Sequence, residues 1–360
     1  MRVAILSVSN NGKLLSKKLK SLLDNDPTVI KTDIFHKNVK ENINLVFKEY
    51  DVIIGIMALG ILVRSICKNI ANKHSDPAVL ALDDKGNHVI SLLSGHIGGA
   101  NSFTKKIAKL LSSKSVITTA TDIHDKISID TLANHFHWNI IDKKKVLVFN
   151  KALLEDAIIH LKSSSYLIKY IENFFLKITL EINNDKKHCY SINNINNYIK
   201  NNYNYILSID ETLNNKIIAK FQNIELELKP KRLVVGIGSR KNISEIEVLL
   251  AIDQAMENLG ISLNRVDRIA TAYIKKNETG IIKICETLEK PLIIVDKEEI
   301  EDFYQSDISK DCEKSSFVKE RFGIDGVSEA CAIIAAGEGS KLIHRKIAIN
   351  GVTVAVAISR

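Results

Sequence analysis

The chain has 360 residues, 45% hydrophobic and 26% charged, which is ordinary globular usage and excludes a disordered chain. Lys and Arg outnumber Asp and Glu by 50 to 42, a formal charge of +8, but the lysines are spread along the chain rather than gathered on one stripe, so no nucleic-acid partner is expected. No apolar run approaches the roughly 18 residues of a membrane helix, and five scattered cysteines without a CxxC pair read as free thiols of a reducing, cytoplasmic compartment.

At about 150 residues per domain, the length predicts two to three domains. Val3–Val8 is an apolar run of strand length, and Leu14, Leu15, Leu19, Leu22 and Leu23 form the apolar stripe of a helix over Lys13–Leu23. Strands follow over Val29–Phe35 and Asp51–Met57, then a helix over Leu59–Ile70. Two further strands, Ala78–Leu82 and His88–Leu93, are joined by a turn at Asp84-Lys85-Gly86-Asn87. A helix over Gly98–Leu111 and a strand over Val116–Thr119 lead toward the end of a first domain, residues 1–137. Apolar strands alternating with helices imply a mostly parallel sheet covered on both faces.

Residues 138–230 change character. They are dense in Asn and Lys, as in Asn193-Asn194-Ile195-Asn196-Asn197, yet keep apolar segments at Val146–Phe149, Tyr166–Ile182 and Tyr205–Ile209. They read as a small α+β linking domain without a chemical motif. Residues 231–360 restart the α/β pattern with a strand over Arg232–Gly238. Ser244 and Glu247 form a capping-box signature before a helix over Val248–Leu259, and Gly260 suits its C-terminus. Strands are predicted at Arg268–Ala272, Leu292–Val295 and Val352–Ile358, and helices at Gly280–Leu288, Phe317–Phe322 and Val327–Ala336. The expected fold is α/β: two α/β domains with mostly parallel sheets flank a small α+β middle domain.

The richest segment chemically is Ser94-Gly95-His96-Ile97-Gly98-Gly99-Ala100-Asn101, between a strand and a helix. Ligands of α/β sheets bind at such junctions, and free N–H groups at a helix start suit a carboxylate or phosphate. The spacing matches neither a phosphate loop nor a dinucleotide fingerprint. A second junction holds Gly55, Gly60 and Arg64, where the glycines equally serve helix–sheet packing. Asp76, before Pro77, is a turn opener or a base; Asp122, after Thr118-Thr119-Ala120-Thr121, is a site carboxylate or a cap for the segment near Ser128. In the last third, Gly236, Gly238 and Arg240 close a strand, and Glu329 sits in the first turn of an Ala-rich helix, where the dipole alone accounts for it. His135-Phe136-His137 lacks an adjacent third ligand and reads as two surface histidines.

These residues together resemble the CbiG family, the cobalt-precorrin-5A hydrolases of anaerobic cobalamin biosynthesis. The likeness runs from Gly55 through Ser75-Asp76-Pro77 to the Ser94–Asn101 loop and Thr118–Asp122. It resumes at Val235-Gly236-Ile237-Gly238, Arg240, Gly326–Glu329, Ala335-Ala336-Gly337 and Gly351–Ala355, where the shorter relative CobE is also similar. Ser239 stands where the family often carries Cys, which removes a thiolate nucleophile at that point; Ala330, Ser91 and His344-Arg345 are milder departures.

The resemblance implies opening of a δ-lactone on a cobalt-bearing tetrapyrrole, with loss of a two-carbon unit as acetaldehyde to give cobalt-precorrin-5B. Cobalt then belongs to the substrate, and no cofactor or protein-bound metal is expected. His96 is the expected general base, oriented by Asp76 or Asp122. The N–H groups of Gly98 and Gly99 would hold an oxyanion or a peripheral carboxylate, and Arg64 and Arg240 would clamp others. Ser94, Gly95, Asn101, Thr119, Gly236, Gly238 and Glu329 complete the expected substrate-binding set. Expected partners are the corrinoid and the methyltransferases of the pathway, with no membrane and with a homodimer left open. The alternative is a non-catalytic carrier of corrinoid intermediates.

Overall fold

The computed structural model describes residues 1–72, 75–183 and 195–360; Cys189 and Asn193-Asn194 lie outside them. The first part builds β1 (Arg2–Ser7), α1 (Asn10–Asp24), β2 (Lys31–His36), α2 (Val39–Glu49), β3 (Val52–Ile56), α3 (Leu59–Ile66), β4 (Ala78–Leu82), β5 (His88–Leu93), α4 (Ala100–Leu111) and β6 (Lys114–Val116). Ser9 caps α1 by accepting the N–H of Gly12 at 2.9 Å. Helix α2, which the apolar pattern did not reveal, buries Val39, Ile43, Val46 and Phe47, a 3.6-residue stripe set among charged and Asn positions. The sheet order is β2-β1-β3-β4-β5-β6, parallel from β2 through β4 and antiparallel between β4 and β5. Ala4, Leu6, Ile53 and Val79 pack one face of it against α2 and α3. The strand expected over Val116–Thr119 forms earlier, at Lys114–Val116.

The middle part holds α5 (Ala120–Ile123), α6 (Ile129–His135), β7 (Trp138–Ile140), α7 (Val146–Leu154), β8 (Ile159–Ser163), α8 (Ser165–Asn183), α9 (Ile195–Tyr203), β9 (Tyr205–Ile209), β10 (Ile217–Phe221) and β11 (Ile224–Pro230). The order β7-β11-β10-β8-β9 is antiparallel except for β8 and β9. An aromatic cluster replaces the aliphatic core of the first sheet: the Phe136 ring stacks on Trp138 at 4.5 Å and lies 4.7 Å from Tyr170.

The last part holds β12 (Leu233–Ser239), α10 (Glu245–Leu259), β13 (Arg268–Ala272), α11 (Thr279–Thr287), β14 (Leu292–Val295), α12 (Lys297–Gln305), α13 (Ser316–Phe322), α14 (Ser328–Ala336), β15 (Lys341–Ile349) and β16 (Val352–Ile358). The capping box of Ser244 and Glu247 forms as expected, and Gly260 ends α10 at φ +67°. The order is β14-β13-β12-β16-β15, parallel across β14, β13 and β12, with β16 antiparallel to β12 and β15 antiparallel to β16. Helix α14 packs close to β12 because Gly236 has no side chain: a Cβ there would stand 1.9 Å from the Ser328 carbonyl oxygen. Strand β15 escaped the sequence pattern because His344-Arg345-Lys346 interrupts its alternation, and the register slips there.

The chain divides into two compact units, one of residues 1–93, 105–115 and 231–360, the other of residues 94–104 and 116–230. Inside the first unit, the Arg345 N–H donates to the Pro27 carbonyl at 2.8 Å and its guanidinium to the Asp24 carbonyl. Arg2 pairs with Asp311, and Lys341 with Asp51 at 3.1 Å. The last third of the chain is thereby fastened to the first. Cys67, Cys285, Cys312 and Cys331 are free thiols, and no helix among the described residues is long and apolar enough to cross a membrane.

Candidate active site

The chain leaves β5 at Leu93 and enters α4 at Ala100 through a tightly wound bend. Ser94 sits at φ +58° and Gly99 at φ +81°, left-handed conformations that reverse the chain within six residues. A Cβ on Gly98 would stand 2.4 Å from the Ser94 Cβ, and one on Gly95 would meet the Asn101 side chain at 2.8 Å. The N–H groups of Gly99, Ala100 and Asn101 turn inward, to the carbonyls of His96, Ser94 and Gly95 at 3.0, 3.1 and 3.0 Å. Those of Gly95, His96, Ile97 and Gly98 have no acceptor among the described residues. The expected donor pair is therefore corrected. Gly98 keeps a free N–H, whereas that of Gly99 closes the turn.

His96, at the apex of the bend, is held between two carboxylates. Its Nδ1 lies 3.1 Å from Asp130 Oδ2 and its Nε2 3.2 Å from Asp122 Oδ2, with Thr121 Oγ1 3.1 Å from Nε2. The Asn134 amide donates to the His96 carbonyl at 3.1 Å. Asp130 is the fixed partner: its other oxygen accepts from Ser128 Oγ at 2.6 Å and Asn150 Nδ2 at 3.0 Å. Asp122 receives Asn101 Nδ2 at 2.8 Å, and the same amide donates to Thr119 Oγ1 at 2.9 Å. Side-chain exposure is 5% for Asp130, 13% for His96 and 19% for Asp122, so the Asp122 side is the more open.

A ring facing an anion at each nitrogen favours its doubly protonated form, because a neutral ring would turn a lone pair on one carboxylate. Burial pulls the His96 pKa down, but hydrogen bonds and charge from Asp122 and Asp130 outweigh it and raise the value to about 9. Burial pushes the Asp130 carboxyl up, and the same ring, with Ser128 and Asn150, takes it far below the usual carboxylate range. The surroundings thus favour the charged, imidazolium form of His96 at neutral pH, whereas the sequence reading expected a general base.

Asp130, Asn134 and Asn150 were not singled out from the sequence, and Thr121 only as a member of the Thr118–Asp122 run. Asp130 follows the cap Ser128 by two residues, and a carboxylate in the first turn of a helix already has a role there. Asp122 does not cap that helix; Ser128 does. Asp76 is buried in the first unit, where both carboxylate oxygens accept the Ala71 N–H, at 3.0 and 3.2 Å, in the turn before β4. The ring's orienting partner is Asp130 in its place. Arg64 is exposed on α3, and Gly60 leaves room for its guanidinium. His135 does not lie free on the surface: its ring packs 4.3 Å from Phe174 and 4.9 Å from Phe136. No group of three metal-ligating side chains occurs among the described residues.

A cavity of about 780 Å³ opens at the carboxyl ends of β12 and β13. Gly238 and Arg240 line it; a Cβ on Gly238 would meet Thr353 Oγ1 at 2.6 Å, and Arg240 is paired with Glu247 at 2.7 Å. Glu329 also lines it, but its role differs from the expected one. Its two oxygens accept the N–H groups of Glu313 at 2.7 Å and Lys346 at 3.0 Å, so it ties two rim segments to the start of α14. Burial raises its pKa, partly offset by those two N–H groups. Gly236 lies beneath α14 as a packing residue.

A family model described as "Cobalamin synthesis G N-terminal" matches residues 41–122, and one described as "Cobalamin synthesis G C-terminus" matches residues 233–357. A Methanocaldococcus jannaschii protein named "Probable cobalt-precorrin-5A hydrolase" is 31% identical over 99% of both chains. The cobalt-precorrin-5A hydrolase of Priestia megaterium is 26% identical over 90% of this chain and 83% of its own. A crystal structure of a cobalamin biosynthesis protein G homolog from Sulfolobus solfataricus shares the architecture, with a TM-score of 0.53 and 25% identity over 99% of this chain and 97% of that one.

Proposed function

The chain belongs to the CbiG family, and from that premise we propose that it is a cobalt-precorrin-5A hydrolase whose proton donor is His96. The observation that carries this reading is an imidazole clasped by Asp122 and Asp130 beside four N–H groups of one bend that have no acceptor among the described residues. Water adds across the δ-lactone, giving a carboxylate and a hydroxyl on the two-carbon bridge. Collapse of that hydroxyl to a carbonyl breaks the carbon–carbon bond and releases acetaldehyde. The electron pair passes to the macrocycle, which then takes a proton.

Oxyanion stabilisation and proton supply each have a matching group, and the proton of the collapsing hydroxyl passes to water. The N–H groups of Gly95 to Gly98 offer donors to the oxyanion of lactone opening or to a neighbouring peripheral carboxylate. The His96 imidazolium supplies the proton on the Asp122 side, where the network is less buried, and Asp130 keeps the ring oriented from behind. Asn101 fixes Asp122 and Thr119 together. Cobalt enters with the substrate, and none of these roles requires a metal bound by the protein.

The test is acetaldehyde release from cobalt-precorrin-5A by the purified chain, read by coupled NADH oxidation. One acetaldehyde per corrinoid is expected from the wild type, with a loss on the order of a hundredfold for His96→Ala. Corrinoid binding without acetaldehyde would overturn the hydrolase reading in favour of a carrier. Full turnover by His96→Ala would remove His96 from the chemistry.

A further inference from the structure

Residues 138–230 carry no chemical motif in their sequence, yet two of their side chains fasten the helix that bears Asp130. Asn150 on α7 bridges two groups of α6. Its Oδ1 accepts the Ile129 N–H at 3.2 Å, and its Nδ2 donates to Asp130 Oδ1 at 3.0 Å. Tyr205 on β9 donates its hydroxyl to the Ile127 carbonyl at 2.7 Å, just ahead of the same helix. All of these groups, and His96 with them, lie in one compact unit.

The two contacts of Asn150 impose a single orientation on its amide. A backbone N–H needs an acceptor, so the amide oxygen faces Ile129. The NH2 group is then turned on Asp130, and it can only donate. Ser128 Oγ accepts the Thr131 N–H at 3.2 Å and gives its own proton to the same carboxylate oxygen at 2.6 Å. A proton on that oxygen would therefore point at a donor. Asp130 is confined to accepting, and its second oxygen calls for a hydrogen on His96 Nδ1, 3.1 Å away. Nδ1 then keeps its proton in both charge states of the ring. Nε2, which faces Asp122 at 3.2 Å, is left as the nitrogen that exchanges one.

We infer that Asn150 is a positioning residue of the site: by holding Asp130 as an acceptor, it keeps the His96 Nδ1 proton in place and makes Nε2 the nitrogen that gives up and regains a proton. The consequence for turnover rests on the hydrolase reading above; the assignment of the two nitrogens rests on the hydrogen bonds alone. The middle part of the chain thereby has a share in the site.

Asn150→Asp separates this role from a structural one. The new carboxyl can still accept from Ile129, so the helix start keeps its partner, but it donates to Asp130 only while protonated. Two carboxyls this close share one proton and part with it well above the ordinary carboxylate range. The other titratable groups around them are His96, Asp122 on its far side, and Tyr205, which burial keeps un-ionised. In substrate-free protein, the His96 ring resonances of the variant should show a step between roughly pH 5 and 8 as that proton leaves, where the wild type shows none. The acetaldehyde rate of Asn150→Asp, as a fraction of the wild-type rate, should fall by about tenfold across the same interval. Asn150→Leu offers no donor and should lose at least about tenfold at every pH. Absence of the step, a rate ratio that does not change with pH, or full turnover by Asn150→Leu overturns the inference while acetaldehyde release by the wild type leaves the hydrolase reading standing. The step in a protein whose wild type releases no acetaldehyde supports the assignment of the nitrogens and overturns the hydrolase reading instead.

Discussion

Replacing Asp130 with Asn tests the charge state of His96 most directly. Asn is nearly the same size, and its carbonyl can still accept from Ser128 and Asn150, which hold the Asp130 carboxylate at 2.6 and 3.0 Å. Its NH2 group would face His96 Nδ1, so that nitrogen must present a lone pair and the ring must lose a proton. The rise in the His96 pKa from 6.5 to about 9 corresponds to roughly 3 kcal/mol of preference for the charged ring, shared by two carboxylates. Removing one should bring the value down toward about 7. The sign of the stability effect follows. A folded pKa above the unfolded one stabilises fully below 6.5 and is lost as pH rises through about 9. Asp130→Asn should therefore cost on the order of 1–3 kcal/mol near pH 6, with the deficit shrinking toward pH 10. Imidazole NMR titration and urea denaturation at the two pH values measure both quantities. If His96 still titrates near 9 in the variant, or the deficit is as large at high pH as at low, the charge pairing has been misread. Turnover should also change, with its alkaline limb moving to lower pH as the acid loses its proton earlier.

Three further substitutions probe the scaffold. Gly98→Ala places a methyl 2.4 Å from the Ser94 Cβ, so the bend must open; activity should fall by more than about tenfold while the thermal midpoint moves little, as assay and calorimetry would show. Gly236→Ala drives a Cβ to 1.9 Å from the Ser328 carbonyl oxygen, between two backbone segments that cannot both yield. A loss of several kcal/mol, about 3 or more, is expected in chemical denaturation. Ser244→Ala removes one half of the α10 capping box and should cost about 1 kcal/mol without touching turnover.

Much of the scaffold is legible from local pattern. Val3–Val8 and Arg268–Ala272 announce strands because both faces of each are covered, and Ser244 with Glu247 announces a helix start. Helix α2 and strand β15 are hidden because polar residues dilute the period that carries the signal. The bend was legible because Gly95, Gly98 and Gly99 cluster where a strand meets a helix, and Asp122 because it follows a strand end. Asp130 was not, since a first-turn carboxylate has a sufficient local explanation and its approach to His96 is a tertiary fact. The inward turn of the Gly99 N–H, against the free one of Gly98, depends on a left-handed φ that composition alone cannot assign.

The path of the chain through its two units bears on synthesis. Every segment of the second unit has been synthesised by residue 230, whereas the first unit still waits for residues 231–360. The part begun first is finished last, the reverse of the usual vectorial order. During that interval Arg2, Pro27 and Asp51, at the amino-terminal end of the opening sheet, lack their partners Asp311, Arg345 and Lys341.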